Sequence, residues 1–356
     1  MLPRVYLGFE SLAAGRGGIA RVARLVAMVL SEEARAGRLD VDGLVYSDRN
    51  PLAYPGLHLR TSRGSRLRYL AAVHRAAFGH SHFIYDFLGM ARSHCLWPGL
   101  RRPFMVWMYG IEVWEQARAD RIRWARRANV ALACSDYTRQ HAEALHGHIN
   151  DTRTCWLGTE SDEEPSGVVA TEGPPSVLIV GRLEPGRDKG HAALIESWPT
   201  VTDACPEARL VIVGTGRDAG RLQALARHSG VGDRIDFTGF VSEARLESLY
   251  AEATVYAMPS RGEGFGLVYI EAMRHGLSVV ASVHDAAPEV VIDGQTGYTV
   301  DLDRNGELAD RLIHLLRHPD EARTMGASGR ERWRRHFSYS AFKQRFLVHL
   351  HSLFSM

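Results

Sequence analysis

Between residues 176 and 282 the chain alternates short apolar runs with amphipathic stretches about every 20 to 30 residues, the pattern of a doubly wound parallel sheet. SVLIVGRL, ARLVIVGTG, RIDFTGF, TVYAMPS and LSVVAS read as strands, while HAALIESW, RLQALARHS, ARLESLYAEA and the EGFGLVYIEAMRHG unit carry the helices between them. Strands that are apolar throughout, rather than at alternate positions, are strands covered on both faces. A sheet of that kind needs helices on each side, so this part of the chain is neither all-β nor a helical bundle.

The first half repeats the pattern less regularly. VYLGF, the turn-rich SLAAGRGG and the helical IARVARLVAMVLSEEARA read as strand, glycine loop and helix, and FMVWMYG (104–110) and ANVALACS (128–135) read as further buried strands. Between the halves, SDEEPSGVVATEGPPS (161–176) turns to Pro, Gly, Ser and acids without periodicity, as interdomain linkers do. A chain of 356 residues also exceeds the size at which a single core stops growing, roughly 250 to 300 residues. We therefore expect an α/β protein with a Rossmann-like domain over 1–172, a second over 173–335, and a terminal amphipathic helix over 336–356 that needs a surface to cover.

Hydrophobic content of 45% and charged content of 24% are those of a globular protein and exclude extended disorder. No run reaches the ~20 apolar residues of a membrane span, and MLPRVYLGFE reads as a first strand rather than a signal peptide, which points to the cytoplasm. Cys95, Cys134, Cys155 and Cys205 have no CxxC spacing, so core thiols are expected rather than a zinc site or disulfides. Charge is divided unevenly: residues 1–150 carry 21 Lys+Arg against 12 Asp+Glu, and residues 151–356 carry 22 against 29. The basic excess gathers in RTSRGSRLRYLAAVHR (60–75), Arg101, Arg102 and RIRWARR (121–127); it suits peripheral contact with an anionic membrane or acceptor, or is simply a solvated face.

Two segments of the second half concentrate polar chemistry. In GRLEPGRDKGH (181–191), Arg182, Arg187 and Lys189 follow a buried strand, where open α/β sheets bind ligands, and can grip a diphosphate. Lys189 is one of two lysines among 43 basic residues. In EGFGLVYIE (263–271), Gly264 and Gly266 permit close backbone approach and introduce a helix whose free N–H groups suit an anion. Glu263 in the loop can accept sugar hydroxyls, and Glu271, inside an apolar run, needs a polar partner such as a ribose. A competing site is VIVGTGRDAG (211–220), a glycine turn with Asp236 about 20 residues on, but its spacing is not that of a dinucleotide fingerprint.

PSRGEGFGLVYIEAMRHGLSVVAS followed by PEVVIDGQTGYTV, together with GRLEPGRDKG, VIVGTG and RIDFTGF in the same order, resembles the donor half of the large retaining GT-B glycosyltransferases grouped as family 4. The resemblance runs over about residues 177–300 and carries the hallmark pair of glutamates separated by seven residues. It implies two Rossmann-like domains facing across a cleft, the last helix crossing back to the first domain, and a donor sugar linked to UDP or GDP. By residue, it implies that Arg182 and Lys189 hold the diphosphate, Glu263 meets the transferred sugar, Gly264, Phe265, Gly266 and Leu267 contact the donor, and Glu271 takes the ribose. GRGGIAR resembles the family's glycine loop, so Gly17 and Gly18 should bring amides to the phosphates or acceptor, and SDYTR (135–139) also looks familial. Where many relatives have histidine before glycine in the first domain, this chain reads MYGIEVWE, with Tyr109; His80 and His82 are the alternative candidates.

The expected reaction is retaining transfer of a hexose to a glycan, lipid-linked glycan or other hydroxyl acceptor. No DxD-like pair stands at a strand end, and Arg182, Lys189 and a helix dipole can stabilise the departing diphosphate, so no metal or other cofactor is expected. With no evident enzymic nucleophile, front-face attack follows, with Tyr109 in a positional role. A nucleotide-sugar epimerase of the same fold and a non-catalytic nucleotide-sugar binding protein are the other readings; no nucleic-acid partner is expected.

Overall fold

The computed structural model describes residues 2–115, 117–165, 173–186 and 189–355. The chain divides into two compact units, Met1–Ser161 with Ser338–Met356, and Asp162–Phe337. The first division thus precedes the expected boundary at 172/173, at the start of the SDEEPSGVVATEGPPS linker, and the second follows the expected 335/336; residues 166–172, in the linker, lie outside the described residues.

In the first unit the order is β1 (Arg4–Phe9), α1 (Gly18–Arg35), β2 (Asp40–Val45), β3 (Leu57–Thr61), α2 (Arg66–Ala76), β4 (His82–Tyr85), α3 (Leu88–Ala91), β5 (Phe104–Met108), α4 (Gly110–Val113), α5 (Ala119–Arg127), β6 (Val130–Ala133), α6 (Asp136–His146) and β7 (Thr152–Thr154). All strands pair in parallel in the order β3-β2-β1-β4-β5-β6-β7. Strand β5 is buried along its whole length, as the uninterrupted FMVWM run requires.

The second unit runs β8 (Ser176–Val180), α7 (His191–Ala204), β9 (Arg209–Val213), α8 (Ala219–His228), β10 (Ile235–Gly239), α9 (Glu243–Glu252), β11 (Val255–Ala257), α10 (Leu267–Arg274), β12 (Ser278–Ser282), α11 (Ala287–Val290), β13 (Gly297–Val300), α12 (Glu307–Arg317) and α13 (Pro319–His336). Its parallel sheet has the order β10-β9-β8-β11-β12-β13. Within each unit the first strand therefore lies between the second and the fourth, the Rossmann arrangement, and the direction of winding reverses beside it.

The terminal helix α14 (Tyr339–Phe354) belongs to the first unit. Its Phe342 and Phe346 rings stack on Trp107 of β5 at 6.2 and 6.3 Å. Tyr339 donates to Glu32 Oε1 at 2.7 Å, Lys343 pairs with the other oxygen of that carboxylate, and Arg345 donates to the Trp156 carbonyl. The apolar face that the sequence left in search of a cover is thus buried on β5 and α1. Cys95, Cys134 and Cys155 are buried free thiols and Cys205 is half-buried and free. Among the described residues no helix is long and apolar enough to cross a membrane.

Candidate active site

A ligand of a doubly wound sheet settles outside the carboxyl ends of the strands, where the strand order reverses. In the second unit that point lies between β8 and β11, so the loops leaving these strands, 181–190 and 258–266, are the ones a ligand would meet. They also touch one another. Gly190 has φ 93°, and a Cβ there would stand 2.4 Å from the Pro259 carbonyl oxygen, so the two loops can approach this closely only with glycine.

The contact places Lys189 beside Glu263, with Nζ donating to Oε2 at 2.5 Å. Both side chains are part-buried, so this pair is less screened than a surface ion pair. Arg182 is exposed and makes no hydrogen bond or ion pair among the described residues, which leaves its five donors available to an anion. Arg187 lies outside the described residues.

Glu263 is held by its backbone at two points. Its N–H donates to Asp285 Oδ2 at 2.9 Å, and its carbonyl accepts the Ala286 N–H at 3.1 Å. Asp285 Oδ1 accepts the Ala287 N–H at 2.9 Å, so one carboxyl ties the loop after β12 to the loop after β11. Burial raises the Asp285 pKa to about 7, against the lowering effect of these N–H groups and of Lys189. Asp285 was not among the residues that stood out in the sequence. Replacing it by alanine leaves two buried N–H groups without an acceptor and is expected to cost about 2 kcal/mol of unfolding stability. Urea denaturation measures that loss, and Asp285→Asn, which keeps one carbonyl oxygen, should recover about half of it.

Gly264, Phe265, Gly266 and Leu267 carry the chain from Glu263 into α10. Phe265 is buried edge-on against Phe337, with ring centroids 5.8 Å apart, and Gly266 takes a left-handed conformation at the helix start. The Leu267 and Val268 amides that open α10 present its positive dipole end, while the Tyr269 N–H already donates to the Gly266 carbonyl at 2.9 Å. Tyr269, one turn in, donates to the Met258 carbonyl at 2.8 Å and locks the helix to the loop. Glu271 is buried on the same helix, where its Oε2 accepts the Tyr250 hydroxyl of α9 at 3.0 Å. That hydroxyl is the polar partner that the apolar surroundings of Glu271 demanded.

The competing glycine turn serves the fold. A Cβ on Gly214 or on Gly216 would stand 1.9 Å from the carbonyl oxygen of Gly181 or Leu183, so the turn is glycine because the β8 loop presses on it. Asp236 lies near the start of β10 and forms a two-pronged ion pair with Arg209 at 2.7 and 2.8 Å, away from the carboxyl ends. Among the described residues, His284, Asp301 and Asp303 bring three metal-ligand atoms within 4.8 Å of one another. Arg261 and Arg304 already pair with the two carboxylates, and His284 Nε2 accepts the Leu302 N–H at 3.1 Å.

The first unit has its own reversal point, between β1 and β4. Gly17 and Gly18 lie in the exposed loop after β1 and open α1, whose first-turn amides are unpartnered within the helix. Two buried acids stand close by in the chain's layout. Asp86, directly after β4, accepts the Glu10 N–H at 2.7 Å, and Glu112 in α4 accepts the Tyr109 N–H at 3.1 Å. Burial raises Asp86 well above the usual carboxylate range and Glu112 to about 8. Asp86 Oδ1, Glu112 Oε2 and the Tyr109 hydroxyl are buried without a partner among the described residues. Tyr109 stacks on Trp107 with centroids 6.3 Å apart, and burial pushes its phenol well above 10, so near neutral pH it can donate a hydrogen bond but not exchange a proton. The alternatives, His80 and His82, stand at the amino end of β4, away from the ligand end. His80 is spent on Asp42 and the Ala76 carbonyl, and His82 on Ser81 and the Phe354 ring.

Residues 174–318 match the family model described as Glycosyl transferases group 1. The chain is 38% identical over 164 residues to a GDP-mannose-dependent alpha-(1-6)-phosphatidylinositol monomannoside mannosyltransferase of Mycobacterium tuberculosis, covering 44% of this chain and 42% of that protein. It is 35% identical over 205 residues to a phosphatidyl-myo-inositol mannosyltransferase of Mycobacterium leprae, covering 53% of this chain and 54% of that protein. The chain thus spans about half the length of these curated relatives. Among solved structures, the Anabaena protein HepE in complex with UDP and glucose superposes with a TM-score of 0.77 at 19% identity, over 98% of this chain and all of that one. A sucrose-phosphate synthase from Thermosynechococcus elongatus does so with a TM-score of 0.76 at 22% identity, over all of both chains. Two parallel-sheet α/β domains and these neighbours establish the GT-B fold that the sequence led us to expect.

Proposed function

We propose that this chain is a retaining, family 4 type hexosyltransferase that moves a sugar from a nucleoside diphosphate to a hydroxyl of a lipid-linked acceptor. The observation that carries the reading is the Lys189–Glu263 pair, fixed by Asp285 at the reversal point of a sheet inside the segment matched by the family model. An amino end of a helix, a free arginine, a lysine and a sugar-facing carboxylate are together the chemistry that a nucleotide sugar needs. GDP-mannose is the donor to test first and a phosphatidylinositol-type lipid the acceptor, because the matched curated relatives carry those substrates in their names.

In this reading Lys189 shares its charge between Glu263 and the donor diphosphate, Arg182 takes a second phosphate oxygen, and the α10 amides take a third. The bond from the anomeric carbon to the phosphate oxygen breaks while the acceptor oxygen bonds to the same face of that carbon. The acceptor's proton passes to the departing phosphate oxygen, so no protein base is needed and the configuration is retained. Glu263 orients the sugar, and Glu271 exchanges the Tyr250 hydroxyl for those of the ribose. Stabilisation of the leaving group by fixed cations and a helix dipole asks for no metal.

Calorimetric titration of GDP and UDP, with and without EDTA, tests the donor half. One nucleotide should bind equally well in EDTA and lose about 10- to 100-fold in affinity in Glu271→Ala, the cost of removing hydrogen bonds to a charged group. Binding that EDTA abolishes would assign a metal a role, with the His284, Asp301 and Asp303 cluster the place to look. Conversion of GDP-mannose without any acceptor would identify an epimerase, and tight binding without turnover on any lipid acceptor would leave a binding protein.

A further inference from the structure

Helix α13 turns one of its arginines away from solvent and toward the loops that carry Glu263. Arg332 is half-buried; its Nε donates to the Val290 carbonyl and its Nη2 to the Glu289 carbonyl, both at 2.8 Å. Its guanidinium carbon stands over the Phe337 ring, 5.3 Å from the centroid. Phe337 is fully buried and carries Phe265 edge-on against it. A guanidinium taken out of water needs partners, and here two carbonyls and a ring face supply them.

The two carbonyls close helix α11, which is a single turn, Ala287–Val290. At its other end Asp285 accepts the Ala287 N–H and the Glu263 N–H, each at 2.9 Å, and Ala286 donates to the Glu263 carbonyl. Four residues of helix span only about 6 Å, so a shift at the capped end is passed to the clamped end. The contacts therefore form a closed circuit: from Glu263 to Asp285, along α11 to Arg332, across to Phe337, and back through Phe265 to the same loop. Gly264 and Gly266 flank Phe265 and give the loop little stiffness of its own, so its shape depends on that circuit.

We infer that Arg332 is a positioning residue for Glu263: it holds α11 and Phe337 together so that the carboxylate stays beside Lys189 and faces the sugar. It acts through Asp285 and Phe265 without touching the donor. Arg317 supplies the contrast, since its Nη2 caps the last residue of the long helix α7, Ala204, at 2.7 Å and has no part in the circuit. The inference rests on the reading of Glu263 as the sugar-facing carboxylate, but its first readout is independent of any reaction.

The test is hydrogen–deuterium exchange of the full chain, read by mass spectrometry on peptides over 259–266 and 284–291, with 176–180 as internal reference. Arg332→Met should speed exchange in both segments about tenfold relative to the reference, whereas Arg317→Met should match wild type there. Arg332→Lys, which keeps the charge and a donor for the carbonyls but not the planar fork, should recover part of the protection. Phe337→Leu should open the same two segments, and combining it with Arg332→Met should add little, because both cut one circuit. With GDP-mannose and a lipid acceptor, Arg332→Met should lower kcat about 10- to 100-fold while KM for the donor and GDP affinity stay within about threefold. Unchanged exchange in 259–266, or equal acceleration in Arg317→Met, would reduce Arg332 to a helix cap and overturn the inference. So would faster exchange with kcat unchanged. If the wild type turns over no nucleotide sugar the transferase reading falls, while the exchange result still decides whether Arg332 positions the loop.

Discussion

Glu263→Gln is expected to lower turnover of GDP-mannose by about 100-fold while GDP affinity changes by less than about threefold. The amide keeps the size of the carboxylate and the two backbone ties to Asp285 and Ala286, so the loop stays in place. What it removes is the negative charge 2.5 Å from Lys189 Nζ. Without that charge Lys189 is no longer held between sugar and phosphate, and the developing positive charge at the anomeric carbon loses its neighbour. A nucleoside diphosphate without its sugar does not reach Glu263, so its affinity should scarcely respond. Steady-state kinetics beside calorimetry of GDP separate the two effects. Equal losses in turnover and in GDP binding would show that the residue only shapes the nucleotide pocket, and the assigned role would fall.

The second large effect is on stability and depends on pH. The Glu112 carboxyl is raised by burial from 4.5 to about 8 in the folded chain. A carboxyl raised on folding keeps a proton that the unfolded chain releases, so its contribution is complete below about pH 4.5 and is lost as pH rises through about 8. Asp86, raised by burial as well, acts in the same direction. The protein should therefore lose stability across that window, while Glu112→Gln, neutral at every pH, should lose less. Urea unfolding of both proteins at about pH 5 and about pH 8.5 should show the variant gaining about 2 to 4 kcal/mol on wild type between the two. Parallel pH profiles would mean that Glu112 ionises freely in the folded chain.

Both effects depend on groups brought together by strand order, and that marks how far the sequence could be read. The parallel sheets were legible because strands covered on both faces must be apolar throughout, as FMVWM is and as SVLIV is after its first residue. The GRLEPGRDKGH and EGFGLVYIE segments were legible because glycines, cations and acids at a strand's carboxyl end are local demands of anion binding. The helical character of α2 went unread, its stretch being singled out only for basic charge that suits an anionic membrane or acceptor or a solvated face, because Leu67 and Leu70 face outward while Tyr69 and Val73 face inward, and apolar residues on both faces blur the helical period.

The sequence by itself therefore determined the two α/β units, the alternation of their elements and the loops able to meet a nucleotide, since each of these follows from residues close together in the chain. Tertiary structure alone decided that Lys189 meets Glu263 from 74 positions away, that Asp285 clamps Glu263, that Tyr250 answers Glu271, and that Asp86 and Glu112 are buried. It also set His80 and His82 at the amino end of their strand. The physical reason is that ion pairs, burial and pKa depend on which loops become neighbours, and neighbours are fixed by the order in which strands assemble, a long-range property that no local pattern of residue types records.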